Sequence, residues 1–81
     1  MRVKVRLFAS LREVASRSES HLELPERATA EDAWQALVGQ LPVLAARRAS
    51  LAVAVNRSYA SFETELRHDD EVVFLPPVSG G

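Results

Sequence analysis

The last two residues, Gly80 and Gly81, follow directly on Pro76-Pro77-Val78-Ser79. They have what a reactive chain terminus needs. Glycine has no Cβ, so a Gly-Gly segment can thread a narrow channel and leave its carbonyl open from every side. A terminal carboxylate is ionised at neutral pH and is a poor electrophile. It accepts sulfur only after activation, for example as an acyl-adenylate made from ATP. Attack by a sulfur donor then leaves a thiocarboxylate, a good nucleophile that can pass sulfur on. Such chemistry takes place inside partner enzymes. Taken alone, the dipeptide fits a frayed end better than a reactive one, since termini are commonly poorly ordered.

Side-chain chemistry offers less. The sequence holds no cysteine, which excludes disulfides, thiolate nucleophiles, persulfides on a side chain and zinc-thiolate sites. The two histidines, His21 and His68, fall in a strand and a turn, with no paired spacing for a metal. Asp69-Asp70-Glu71 are contiguous at a strand start, so neighbours point in opposite directions, and they miss the spaced pattern of a calcium loop. Ser79 lacks the strand-turn-helix elbow that would hold a nucleophile. The three glycines, Gly39, Gly80 and Gly81, build no phosphate loop. Glu63, Glu65, Asp69, Asp70 and Glu71 make up five of the eleven acids and either tune a partner contact near the terminus or keep the surface soluble.

The elements that must position this terminus are legible. Arg2 to Phe8 alternate, with Val3, Val5 and Leu7 on one face and Arg2, Lys4 and Arg6 on the other, a half-buried strand. The three cations form a solvated face or a patch for an acidic partner. Ser10-Leu11-Arg12-Glu13 has the form of a capping box and predicts a short helix fading by Ser16 to Ser20. Leu22 and Leu24 alternate with His21 and Glu23 in a second strand that Pro25 closes. Thr29 caps the main helix, with Glu31 and Asp32 in its first turn. Ala30, Ala33, Trp34, Leu37, Val38 and Leu41 line its apolar face, so Trp34 belongs to the core. Gly39 weakens that helix and Pro42 stops it. Residues 42–50 read as a connection with Arg47 and Arg48 exposed. Leu51 to Val55 is a continuous apolar run, predicting an interior strand buried on both faces. Asn56-Arg57-Ser58 reads as a turn, Tyr59 to Phe62 as a short edge strand, and Leu66 as a packing residue before the turn at Arg67 to Asp70. Glu71 to Leu75 is the final strand, ended by Pro76 and Pro77, which lack N–H groups. The order is β-β-α-β-β. One helix cannot cover both faces of a sheet, so a helix-on-sheet α+β layer follows.

With 81 residues the chain makes one domain. Apolar residues are 47% and charged residues 26%, ordinary for a globular protein. A net charge of −1 gives no support to a nucleic-acid partner, which calls for basic excess. No apolar run approaches the ~20 residues of a membrane span, and the opening segment has no signal-peptide character. A cytoplasmic location without membrane partners is the expectation.

At this point the sequence resembles a known family: the sulfur-carrier subunits of molybdopterin synthase, among the ubiquitin-like β-grasp carriers. The resemblance spans essentially the whole chain. It rests on Val3 to Glu13, on Val53-Ala54-Val55-Asn56, and above all on Asp70-Glu71-Val72-Val73-Phe74-Leu75-Pro76-Pro77-Val78-Ser79-Gly80-Gly81. It implies an α+β β-grasp fold, a mixed sheet of four to five strands with one main helix on one face. The domain would cover residues 1–77 and the Gly-Gly tail residues 78–81. It also implies that Gly81 is adenylated by an activating enzyme using ATP, takes sulfur from a sulfurtransferase donor, and becomes a thiocarboxylate. Gly80 and Gly81 would enter the active site of the large subunit, where sulfur passes to cyclic pyranopterin monophosphate. The chain itself would bind no cofactor or metal and would not be catalytic alone. Phe74, Pro76 and Pro77 would lie at or near the partner contact, although strand alternation fits Phe74 equally to the core. Two carriers would sit at the ends of a large-subunit dimer, a heterotetramer. Carrier chemistry aimed at a thiamine thiazole or a tRNA base, or a modifier or docking module using the same tail, are the rival readings. Two departures stand out. Asp69 occupies a turn position where the family commonly has glycine. Arg57, rather than a small residue, follows Asn56, suggesting a modified hairpin.

Overall fold

The computed structural model describes residues 1–76. Its elements are β1 (Arg2–Leu7), α1 (Ala9–Ala15), β2 (Glu19–Glu23), α2 (Ala30–Gln40), a 3₁₀ segment (Pro42–Ser50), β3 (Ala52–Val55), β4 (Ser58–Ala60) and β5 (Glu71–Leu75). The strands form one mixed sheet in the order β2-β1-β5-β3-β4. β1 pairs antiparallel with β2 and parallel with β5, and β3 runs antiparallel to β5 and β4. This is the β-grasp arrangement that the sequence implied, with β5 in the middle. Among the described residues no helix is long and apolar enough to cross a membrane.

Strand register sorts the side chains. Val5 lies opposite Val72 and Leu7 opposite Phe74, while Val53 pairs with Phe74; all five point to the buried face and are nearly or fully hidden. Helix α2 lies over that face through Ala30, Ala33, Trp34 and Leu37. Its N-terminus is held by the reciprocal Thr29–Asp32 capping box, with Asp32 N–H donating to Thr29 Oγ1 at 3.2 Å and Thr29 N–H to Asp32 Oδ2 at 2.9 Å. Two further first-turn donors, which a helix leaves without intrahelical partners, reach the 61–66 segment. Ala30 N–H donates to Thr64 O at 3.0 Å and Glu31 N–H to Phe62 O at 2.9 Å.

Two expectations need correction. Ser10 does not cap α1: Phe8 occupies the N-cap position and no side chain supplies a cap bond. The helix starts as soon as β1 ends, which leaves Ser10 inside the first turn. Residues 42–50 are a 3₁₀ segment with Leu44 fully buried, not a bare connection. Arg48 there is engaged, its Nε and Nη2 donating to Glu31 Oε1 at 2.8 and 2.6 Å. By contrast, the expectation that β3 is buried on both faces holds at its centre, where Val53 and Ala54 are both buried. Ala54 on the other side is 8% exposed, because its short side chain lies between its strand neighbours Val73 and Tyr59.

The hairpin after β3 is regular despite Arg57. Val55 faces Ser58, leaving a two-residue loop with Asn56 and Arg57 at φ 50° and 70°, the double left-handed turn that matches strand twist. Asp69 stands at φ 70°, a conformation aspartate tolerates better than most residues.

Candidate functional site

Because Gly81 is the candidate reactive residue, the site begins with what leads to it. β5 is the central strand, bonded on both edges up to its last residues, with Leu7 opposite Phe74 and Ala52 opposite Leu75. Pro76 follows, half-buried. Pro77, Gly80 and Gly81 lie outside the described residues, as does the expected boundary between domain and tail.

The start of β5 is anchored by a compact polar network. Asp70 Oδ2 accepts from Arg67 N–H at 2.7 Å, and its Oδ1 accepts from Asn56 Nδ2 at 2.8 Å. Asn56 Oδ1 accepts from Glu71 N–H at 2.9 Å, while Asn56 N–H donates to Glu71 O at 2.8 Å. The contiguous acids therefore divide their labour: Asp70 ties two turns together, and Glu71 sits between Arg6 and Arg57 at 3.6 and 3.9 Å. His68 is also structural, its Nδ1 accepting from Arg2 N–H at 3.0 Å.

Phe74 faces the core of the domain, not its surface. It is 0% exposed, edge-on to Trp34 with ring centroids 5.1 Å apart and stacked against Phe62 at 6.1 Å. The Arg48 guanidinium closes this stack, 3.6 Å from the Phe62 ring centroid. The same guanidinium, with the Gln35 amide, holds the Glu31 carboxyl below the usual carboxylate range. Residues 74 and 76 thus have different roles: Phe74 fixes the strand from inside, and Pro76 borders the surface.

Two depressions flank the strand exit. One, about 370 Å³, is bounded by Ser10, Arg47, Ser50, Leu51 and Pro76. The other, about 340 Å³, lies on the uncovered face of the sheet between Phe8, Ala54, Tyr59, Val73 and Leu75. That face is divided. Its β2-β1 half is charged, with Lys4 paired to Glu19 at 3.5 Å. Its β5-β3-β4 half has an apolar floor of Ala54, Val73 and Leu75, framed by the exposed rings of Phe8 and Tyr59, 39% and 81% accessible, with Arg6, Arg57 and Glu71 at its margin. Arg6 lies 5.5 Å from the Phe8 centroid, between the two halves.

Sequence reasoning missed the patch on the uncovered face, where the exposed Phe8 and Tyr59 flank the half-buried Leu75 and the nearly hidden Val73. The signal was parity: once Leu7 is inward and pairs with Phe74, Val73 and Leu75 must face outward. Exposed aromatic and aliphatic groups in one patch mark binding surfaces more often than chance.

The ThiS family matches residues 5–81. A molybdopterin synthase sulfur carrier subunit of Arabidopsis thaliana is 33% identical over 98% of this chain and 82% of its own. One from Chlamydomonas reinhardtii is 35% identical over the full length of both. The crystal structure of SAMP1, small archaeal modifier protein 1, from Haloferax volcanii superposes with a TM-score of 0.91 at 32% identity, covering 100% of each chain.

Proposed function

The chain belongs to the ThiS family, and on that premise we propose that it is the sulfur carrier of a molybdopterin synthase, working in molybdenum-cofactor assembly. The observation that carries this reading is that the family match runs through residue 81, so the Gly80-Gly81 ending lies inside the matched region. The Gly81 carboxylate is adenylated by an activating enzyme at the expense of ATP. A sulfurtransferase donor then displaces AMP, leaving a thiocarboxylate that attacks cyclic pyranopterin monophosphate in the large subunit. The β5 strand, gripped on both edges, holds the departure point of the tail still. The partner supplies the pocket, and no cofactor is bound by this chain.

The apolar half of the open sheet face is the docking surface in this reading. Val73, Leu75 and Ala54 give it an apolar floor, Phe8 and Tyr59 give it aromatic anchors, and interface cores favour such residues. The charged half beside it, with Arg6 at the boundary, sets orientation. Two carriers on a dimer of large subunits is the expected assembly.

Mass spectrometry tests the chemistry. The chain incubated with its activating enzyme, ATP and a sulfur donor should show one oxygen exchanged for sulfur at Gly81. A competent enzyme that leaves the carboxylate unchanged would count against the proposal. Deleting Gly81 should abolish the exchange while leaving large-subunit binding through the sheet face in place.

A second reading, a modifier joined to lysines by the same terminus, is favoured by the close superposition on SAMP1. Isopeptide-linked adducts in cells, dependent on Gly81, would support it.

A further inference from the structure

The uncovered face of the sheet carries an unbalanced charge at the edge of its apolar floor. Arg6, Arg57 and Glu71 stand together at the margin of the depression floored by Ala54, Val73 and Leu75. Two guanidinium groups share one carboxylate, so the group keeps one positive charge. Resting on the docking reading above, we propose that Arg6 and Arg57 form a carboxylate-binding subsite, and that the partner protein seated on this face supplies one Asp or Glu side chain to it. The two arginines are thereby specificity-determining residues for that partner.

These arginines are not saturated by the fold. Arg48 shows what a closed pair is in this chain: its Nε and Nη2 both donate to Glu31 Oε1, at 2.8 and 2.6 Å. Arg6 Nη1 and Arg57 Nε instead stand 3.6 and 3.9 Å from Glu71 Oε2 and Oε1, beyond hydrogen-bond range. A guanidinium has five N–H donors in a planar fork that matches a carboxylate. Glu19 lies opposite Arg6 on β2, but its carboxylate is paired with Lys4 at 3.5 Å. The Arg57 side chain is 87% exposed, and its backbone stands at φ 70°, a conformation glycine adopts with less strain. The hairpin thus holds a guanidinium where its backbone favours a residue with no side chain. Arg6 reaches the same carboxylate from β1, opposite Val73, with its guanidinium 5.5 Å from the Phe8 ring centroid.

Docking turns this arrangement into a demand on the partner. Apolar groups laid over Val73 and Leu75 displace water from the charges beside them. A charge taken out of water without a counter-charge is costly. The two arginines and Glu71 lose solvent together, and Glu71 neutralises only one of them. A single carboxylate from the partner completes the balance and can receive a guanidinium fork in bidentate form. A lysine or arginine brought to the same place meets net repulsion. The surface that fits is therefore an apolar patch with one acid on its border.

The test measures binding of the full chain to the large subunit of molybdopterin synthase, at low salt and at about 1 M salt, where the screening length falls to about 3 Å. Arg6→Gln should raise Kd roughly 10-fold at low salt, and the more exposed Arg57→Gln roughly 3-fold. Both losses should shrink at high salt. Arg6→Lys, which keeps the charge, should recover most of the affinity. Glu71→Gln removes the resident competitor and should tighten binding roughly 3-fold at low salt. Tyr59→Ala loses contact area and no charge, so it should weaken binding equally at both salts. Two results would overturn the inference while Tyr59→Ala still binds weakly: an Arg6→Gln loss that is absent or independent of salt, or a Glu71→Gln chain that binds more weakly than wild type. A wild-type chain that fails to bind, or a Tyr59→Ala chain that binds as wild type does, would instead overturn the docking reading beneath it.

Discussion

Strand β5 shows two characters in five residues. Val72 and Phe74 point into the core, where Phe74 touches two other rings. Val73 and Leu75 point to the uncovered face, beside the exposed Phe8 and Tyr59. A single element therefore binds the domain together on one side and presents a surface on the other. Inward residues should govern whether the chain folds. Outward ones should govern what it meets.

That division can be broken in order of expected effect. Phe74→Ala should cost about 3–5 kcal/mol of stability, read from urea denaturation; a loss below 1 kcal/mol would mean the ring stack is not the keystone of the core. Tyr59→Ala should leave stability within about 0.5 kcal/mol. It should weaken binding to the large subunit by about 2 kcal/mol, roughly 30-fold in Kd, by calorimetry. An unchanged Kd would remove the β4 side from the proposed docking face. Asp70→Ala strips the acceptor for Arg67 N–H and Asn56 Nδ2. It should lower stability by about 1 kcal/mol while sparing transfer chemistry. Arg57→Gly relieves a left-handed residue at φ 70° and should stabilise the hairpin by about 0.5 kcal/mol, seen as a raised Tm.

The smallest effect concerns acid. Arg48 and Gln35 depress the Glu31 carboxyl, so the folded state favours the ionised form. Its contribution is complete above about pH 4.5 and is lost as pH falls through the depressed folded value. Urea midpoints of wild type and Glu31→Gln should differ at neutral pH and converge in strong acid. A gap constant with pH would show that the carboxylate charge is not what ties α2 to the 3₁₀ segment.

Much of this architecture was readable in the residues. Alternation in Arg2 to Leu7, the cap at Thr29 and the i, i+3, i+4 stripe through Trp34 each specify their own local structure. What escaped was information held between segments. The face taken by Phe74 is set by its register against Leu7, sixty-seven positions earlier. Arg48 looked solvent-exposed because its partners, Glu31 and Phe62, are remote in sequence. The Asn56–Asp70 bond joins two turns that each appear self-sufficient. Composition and spacing pointed to Gly81 by elimination and resemblance, but the apolar frame around the exit comes from four separate strands and loops.

The parallel pairing of β1 with β5 also dictates when this molecule can take shape. The central ladder joins Lys4 to Glu71, so its formation closes nearly the whole chain into a loop. The entropy of such closure grows with loop length, and folds dominated by distant contacts form slowly. A nascent chain released before Glu71 lacks the middle strand, leaving β1 and β3 with unpaired inner edges. Completion of synthesis and acquisition of structure are thereby coupled: a polypeptide ended before β5 lacks the strand that joins the two halves of the sheet.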